Sequence, residues 1–210
     1  MVETSMPDPV SGWSRVARVL HWGTALAIAV EVPAGFVMGW TYIARDPEGM
    51  AAHLRSSQIH HTLGLLLLLA VAFRIVWRLT HATPAPPSGA SRAEVALAAS
   101  VQGVLYLLLL AIPLTGWAAL SALGAGGGYP APSLWFFTVD GFGPDGVIPH
   151  IATPVAWNAP VLFKYGFFAR IHRWGLVLGA VVLVLHVAGA LKQHFVARSN
   201  VLRRMWSGKA

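Results

Sequence analysis

The chain has 210 residues, of which 56% are hydrophobic and 11% are charged. Soluble globular domains contain roughly 45–50% apolar and about 25% charged residues, so this composition excludes an ordinary soluble domain and predicts a membrane protein. The sequence has no cysteine, which excludes disulfides, iron–sulfur clusters, zinc–thiolate sites and covalently attached haem. The net charge of +7 does not indicate nucleic-acid binding, because the basic residues are distributed as membrane topology requires.

Four apolar runs are each long enough to cross about 30 Å of hydrocarbon. They predict helices at approximately 16–40, 58–80, 93–121 and 167–196. The expected fold class is all-α, an integral membrane four-helix bundle forming a single domain over residues 1–210. The first run is longer than the apolar core of a signal peptide and lacks a clear cleavage site, so we expect it to be retained as a helix.

Helix 1 carries two ionisable residues. His21 lies about one turn inside its start, and Glu31 lies in the middle of the span. An acid at that depth needs a partner or a water-filled cavity. Glu31 is therefore either a proton-handling or cofactor-facing group, or a protonated packing residue.

Residues 41–57 mix acidic and basic side chains and are interpreted as a solvated connector in which His53 is a surface residue. Helix 2 follows with His60 and His61 in adjacent positions. Adjacent helical residues point some 100° apart, so only one of the two can face the bundle. Arg74 lies fourteen residues after His60 on the same helix face, where it either pairs with an anionic group of a cofactor or extends to the membrane surface.

Helix 3 contains no histidine, and Pro113 and Gly116 mark a kink or a close-packing point. It is followed by a long outer loop, residues 122–166. Loops of this length are commonly functional or disordered, and the aromatic content of this one favours a cap over the bundle.

Helix 4 carries His172 and His186 fourteen residues apart. Both therefore lie on one helix face, separated by roughly 21 Å along the axis at about 1.5 Å per residue. Ionisable groups within a membrane span are functional candidates by default.

The positive-inside rule orients the chain. With both termini cytoplasmic, ten of the 15 Lys and Arg residues lie on the inner side and five on the outer side. The inner residues are Arg15, Arg18, Arg74, Arg78, Arg92, Lys192, Arg198, Arg203, Arg204 and Lys209; the outer ones are Arg45, Arg55, Lys164, Arg170 and Arg173.

With this topology the histidines form pairs at two depths. His21 and His186 share the inner level, and His172 shares the outer level with His60 or His61. A single metal ion usually takes three or four ligands at one level, whereas two imidazoles at each of two levels suit two bis-His haems stacked across the membrane.

Several other polar residues are candidates for contacts with these groups. Arg74 or Arg18 could pair with a propionate of the inner haem, and Arg55, Arg170 or Arg173 with one of the outer haem. Gln193 and His194, at the inner end of helix 4, are candidates for a substrate site.

The chain resembles the bacterial cytochrome b561 family, four-helix dihaem membrane proteins related to the cytochrome b subunits of nickel–iron hydrogenases. The segments that carry the resemblance are VLHW (19–22), QIHHTLGLLLLLAVAFRIVWRL (58–79), PLTGW (113–117) and IHRWGLVLGAVVLVLHVAGAL (171–191). The resemblance implies that His21, His60, His172 and His186 are the haem ligands. It favours His60 over His61 because the family histidine precedes a helix glycine, here Gly64, by four residues. Glu31 and the length of the outer loop depart from the family pattern.

The resemblance also implies electron transfer between membrane quinone and a donor or acceptor at the opposite face. The compact branch of the family is similar to superoxide oxidase, so the main hypothesis is a superoxide:ubiquinone oxidoreductase of the bacterial inner membrane. Its cofactors would be two non-covalent haem b groups, and its quinone would bind near Arg74, Gln193 and His194. One alternative is a haem-bearing anchor or electron carrier for a hydrogenase, a dehydrogenase or a periplasmic cytochrome. Another is a haemless channel or transporter that uses its His and Glu residues for protons.

Overall fold

The structure, a computed structural model, describes residues 12–123 and 148–209. Four long helices make up most of this part: α1 (Arg15–Thr41), α2 (Pro47–Thr80), α3 (Arg92–Ala122) and α4 (Tyr165–Leu191). A π-helical turn, Lys192–Val196, continues α4, and a short helix, α5 (Val201–Trp206), follows. No strand occurs in the described ranges. The predicted all-α fold class is confirmed.

The starts of α1, α2 and α3 are all capped by side chains. Ser14 accepts a hydrogen bond from the amide of Ala17 at 3.2 Å at the start of α1. At the start of α3 the Glu94 amide donates to Ser91 Oγ at 3.2 Å and the Ser91 amide donates to Glu94 Oε2 at 2.9 Å, which is a complete capping box. These contacts explain why α1 and α3 begin within a residue of the predicted positions.

Helix α2 begins eleven residues before the predicted start at residue 58. Asp46 accepts a hydrogen bond from the Gly49 amide at 2.8 Å, and Pro47 occupies the first helical turn, where its missing N–H costs nothing. The interpretation of residues 41–57 as a connector is therefore wrong for most of the segment. Its charged residues are solvated on the extension of a helix about 50 Å long at ~1.5 Å per residue. His53 is half-buried on this extension, with Nδ1 3.0 Å from the Met38 carbonyl oxygen.

The outer surface of the bundle is apolar. Each of the four long helices has the length and composition to cross a membrane, and large side chains such as Leu69 (67% exposed) and Leu79 (80% exposed) point away from the bundle. Extended apolar surfaces of this kind face lipid or a partner, not water. The predicted membrane four-helix bundle is thus confirmed.

The helices run antiparallel, with α1 packed on α2, α2 on α3, and α3 on α4. We call the end that carries the start of α1 and helix α5 the terminal end, and the opposite end the loop end. At the terminal end, Arg18 Nη1 donates to the Trp206 carbonyl at 2.7 Å and Trp22 Nε1 donates to the Met205 carbonyl at 3.1 Å. These bonds hold α5 across the end of α1.

The described part of the outer loop packs against α3. Trp117 Nε1 donates to the Pro149 carbonyl at 3.0 Å, and the Ile151 amide donates to Ser121 Oγ at 3.2 Å. Residues 148–164 therefore begin at the loop end of the bundle. Residues 124–147 of the predicted loop lie outside the described residues.

Candidate cofactor site

A large cavity of about 3040 Å³ lies between the four long helices. Sites for small molecules and cofactors are usually about 300–1,000 Å³, so this cavity has room for more than one cofactor of ordinary size. Its walls are mainly apolar, and the four histidines that the resemblance implies as haem ligands line it. They are His21 from α1, His60 from α2, and His172 and His186 from α4.

The histidines face each other in two pairs. The ring centroids of His21 and His186 are 6.2 Å apart near the terminal end. Those of His60 and His172 are 5.9 Å apart nearer the loop end. Each pair joins α4 to a different helix, α1 in one case and α2 in the other.

Both separations fit an iron atom held between two imidazoles. A bond from an imidazole nitrogen to a first-row metal ion is about 2.0–2.1 Å long, and the nitrogen lies roughly 1.1 Å from the ring centre, which gives about 6 Å between two ring centres. Two ligands per metal suit a haem, which supplies the remaining four ligands itself. Within residues 12–123 and 148–209 there is no group of three or more His, Asp or Glu residues that could hold a metal ion.

The loop-end pair is held through the Nδ1 atoms. His60 Nδ1 is 3.3 Å from the carbonyl oxygen of Glu31 and 3.1 Å from its carboxyl Oε1, and His172 Nδ1 is 2.8 Å from the carbonyl oxygen of Ile112. A carbonyl oxygen can only accept, so each neutral imidazole must carry its proton on Nδ1. The Nε2 lone pair of each ring is then free to bind a metal, an arrangement typical of histidine ligands.

Two glycines make room for these rings. A Cβ on Gly35 would lie 2.9 Å from Cε1 of His60, and a Cβ on Gly116 would lie 3.1 Å from the ring of His172. Each glycine lies four residues, about one helical turn, after the residue whose backbone carbonyl accepts the hydrogen bond from Nδ1. The sequence predicts a kink or a close-packing point at Gly116 but connects neither glycine to a histidine. The available signal was a proline and a glycine close together inside an apolar helix.

His61 also lines the cavity, with its ring centroid 6.0 Å from that of His60. Its Nδ1 is buried and has no hydrogen-bond partner among the described residues. His60, in contrast, faces His172 and has its Nδ1 at a backbone carbonyl.

Arg74 points into the bundle. Its Nη2 is 2.9 Å from Nδ1 of His21, and its guanidinium carbon lies 5.3 Å from the centre of the Tyr106 ring. A guanidinium can only donate, so in this arrangement Nδ1 of His21 accepts and the proton is on Nε2. Binding of a metal at Nε2 requires that proton to move to Nδ1, which would release Arg74 for an anionic partner in the same cavity.

The other residues predicted to contact the haems or the quinone differ in whether they line the cavity. Arg173 lines the cavity, whereas Arg18 is engaged with the carbonyl of Trp206. Gln193 and His194 belong to the π-helical turn after α4, and His194 Nδ1 is 3.3 Å from the carbonyl oxygen of Ser199. Neither Gln193 nor His194 is among the described residues that line the cavity.

Fold and site together define an all-α membrane protein whose four long helices surround a cavity that is lined by two facing pairs of histidines. The chain belongs to the prokaryotic cytochrome b561 family, whose model matches residues 12–208. It is therefore a membrane haem protein with b-type haem and a role in electron transport.

Individual relatives resemble the chain over most of its length. Cytochrome b561 homolog 2 of Escherichia coli (strain K12) is 27% identical over 90% of this chain and 88% of its own length. Cytochrome b561 homolog 1 of the same organism is 26% identical over 92% of this chain and 96% of its own. A protein of Yersinia pestis named "Probable superoxide oxidase CybB" is 30% identical over 90% of this chain and 93% of its own.

Proposed function

We propose that this protein is a dihaem cytochrome that transfers electrons from superoxide, on the periplasmic side of the bacterial inner membrane, to ubiquinone in the bilayer. The observation that carries the proposal is the presence of two histidine pairs with ring centroids 6.2 Å and 5.9 Å apart in one cavity. The two histidine pairs would hold two haems at different depths, and each haem would supply one-electron chemistry at its own level.

The four histidines are the residues that would hold the haems. His21 and His186 would hold one haem at the terminal end, and His60 and His172 would hold the other nearer the loop end. When bound, haem supplies reversible one-electron exchange at its iron. The chain contributes the positions of the ligands, the hydrogen bonds that Nδ1 of His60 and of His172 donates to backbone carbonyls, and a mainly apolar wall that limits the access of water.

The electron donor would reach the loop end. In the proposed orientation this end faces the periplasm, because ten of the 15 basic residues then lie on the cytoplasmic side. Arg173 lines the cavity near this end, and the loop-end cations favour the approach of an anion such as superoxide. The likeness to a relative whose name is "Probable superoxide oxidase CybB" supports this choice of donor.

The quinone would bind toward the terminal end. Arg74 and the residues Gln193 and His194 are the proposed contacts, and the latter two lie in a π-helical turn, a feature that is frequent at functional sites. The overall reaction is balanced: two superoxide ions, one ubiquinone and two protons give two dioxygen molecules and one ubiquinol. The protons would come from the cytoplasmic side, where α5 closes the bundle.

Rapid mixing of the purified, haem-loaded protein with superoxide tests the proposal. We expect reduction of the haem absorption bands at a rate approaching the diffusional range, on the order of 10⁸ M⁻¹ s⁻¹, followed by reoxidation when a short-chain ubiquinone is added. Slow reduction by superoxide would contradict the proposal. It would favour the alternative, a haem-bearing anchor or carrier that receives electrons from a hydrogenase, a dehydrogenase or a periplasmic cytochrome.

A further inference from the structure

Glu31 is a carboxyl group in the middle of α1, and its side chain is directed at His60. Oε1 is 3.1 Å from His60 Nδ1, and only 13% of the Glu31 side chain and 17% of the His60 side chain are exposed. The other oxygen, Oε2, is buried and has no hydrogen-bond partner among the described residues. The contact with His60 is thus the interaction that accounts for the position of this carboxyl.

The surroundings are shaped to allow this contact. Gly64 of α2 lies one turn after His60, and a Cβ at this position would be 3.3 Å from Glu31 Oε1. A side chain at residue 64 would therefore press on the carboxyl. Gly35 leaves space on the other side for the His60 ring. The two glycines allow the carboxyl and the imidazole to meet between α1 and α2.

The other histidine of the loop-end pair has no comparable partner among the described residues. His172 Nδ1 contacts the backbone carbonyl of Ile112 at 2.8 Å. His60 Nδ1 contacts a backbone carbonyl too, that of Glu31 at 3.3 Å, and has the carboxyl oxygen in addition. The backbone bond alone holds His172, so the carboxyl at His60 is an added feature and not a requirement for holding a ring in this bundle.

A carboxyl in a membrane span is costly unless it has a function or a partner. Hydrogen bonds from the second nitrogen of a ligand imidazole to a carboxylate orient the ring, select the tautomer and make the ligand a stronger electron donor. Loss of such a partner typically lowers metal affinity by about 10–100-fold. A stronger donor favours the oxidised, more positive iron over the reduced one.

We propose that Glu31 is a positioning residue for His60, whose single Nδ1 proton is shared between the backbone carbonyl of Glu31 and its carboxyl oxygen, and that the carboxyl thereby lowers the reduction potential of the loop-end haem. This inference rests on the proposed function, because it requires His60 to be a haem ligand. It assigns Glu31 a role that the family resemblance does not supply. A lower potential at the loop end than at the terminal end would favour electron flow toward the quinone.

Redox titration of the purified, haem-loaded protein tests this role. We expect Glu31→Gln to raise one of the two midpoint potentials, because an amide oxygen is a weaker acceptor than a carboxylate. If the equilibrium constant that favours oxidised over reduced haem falls tenfold, the midpoint potential rises by about 59 mV for a one-electron couple. Glu31→Asp keeps the charge but is one methylene too short to reach Nδ1, so it should shift the same potential in the same direction.

The matched control is Glu48→Gln, which removes an exposed carboxylate from the first turn of α2. If Glu31→Gln shifts neither potential more than Glu48→Gln does, the proposal is overturned. It is also overturned if Glu31→Asp behaves as wild type, because charge and not the hydrogen bond would then account for any shift. Should Glu31→Gln fail to fold, Glu31→Asp provides the same comparison.

The variant His60→Ala distinguishes a failure of this proposal from a failure of the proposed function. Its remaining potential identifies the terminal-end haem, so the shifted potential in Glu31→Gln can be assigned to the loop end. If His60→Ala retains both haems, the ligand assignment itself fails. If it loses one haem while Glu31→Gln leaves both potentials unchanged, only the role of Glu31 fails.

Discussion

The ring of His172 on α4 lies against Gly116 on α3, so that a Cβ at residue 116 would be 3.1 Å from the ring atoms Cε1 and Nδ1. The same ring bonds through Nδ1 to the carbonyl of Ile112, one turn earlier on α3. The backbone of α3 thus positions His172 of α4 through two contacts, the close approach at Gly116 and the hydrogen bond at Ile112.

Replacing Gly116 with alanine should displace this ring. The added Cβ requires a shift of a few tenths of an ångström, and α3 and the hydrogen bond to Ile112 both resist it. We expect Gly116→Ala to weaken haem binding at the loop end by about tenfold, the scale found when the support of a metal ligand is lost. Titration of haem into haem-depleted membranes, followed by optical spectra, measures the change.

Gly103→Ala is the control for this prediction, since residue 103 is on the same helix and a Cβ there would meet nothing within 4 Å among the described residues. It should bind haem as wild type does. Equal affinities in the two variants would show that the ring position does not depend on Gly116.

The number of haems and their ligands can be counted directly. We expect two b-type haems per chain by the pyridine haemochrome assay, one after His60→Ala, and two after His61→Ala. The adjacent histidine is a matched control because both rings line the cavity and differ in their partners. Loss of a haem from His61→Ala and not from His60→Ala would reverse the assignment, and colourless, folded wild-type protein would leave the haemless transporter as the better hypothesis.

Arg74 should affect the haem at the terminal end. Its guanidinium lines the same cavity as His21, so its charge stays near the haem site after the contact with Nδ1 is released, and a nearby cation disfavours the oxidised, more positive iron. Arg74→Ala should therefore lower the midpoint potential of the terminal-end haem. The shift is about 59 mV if the equilibrium constant between oxidised and reduced haem changes tenfold. The control is Arg78→Ala, one turn later on α2, whose side chain is exposed and lies over the Trp13 ring. A potential that moves equally in both variants would contradict a specific role for Arg74.

The orientation of the chain is open to labelling because the sequence contains no cysteine. We expect Glu48→Cys, near the loop end, to react with a membrane-impermeant maleimide in intact spheroplasts. Ser88→Cys, between α2 and α3, should react only after lysis. Both positions are exposed, so their difference reports the side of the membrane, and the reverse pattern would place the termini in the periplasm.

Much of the site could be predicted because helical spacing and span direction depend on local sequence. The fourteen residues between His172 and His186 define one face and two depths of α4. Antiparallel spans then match each of them with a histidine of α1 or α2. The start of α2 was predicted wrongly, because a polar helical extension and a polar loop have similar composition. The capping contact between Asp46 and Gly49 shows that the segment is helical.

By itself, the sequence determined the membrane class and the four spans, and it predicted two depths for the histidines. These properties follow from hydrophobicity and from periodicity along single helices. Only the tertiary structure decided that Glu31 meets His60, that Ile112 and Gly116 hold His172, and that Arg74 turns inward to His21. Contacts of this kind depend on the rotation of each helix about its axis and on the distance between helices. Neither quantity is encoded in the spacing of residues along one helix, so the physical origin of these contacts is the packing of the whole bundle.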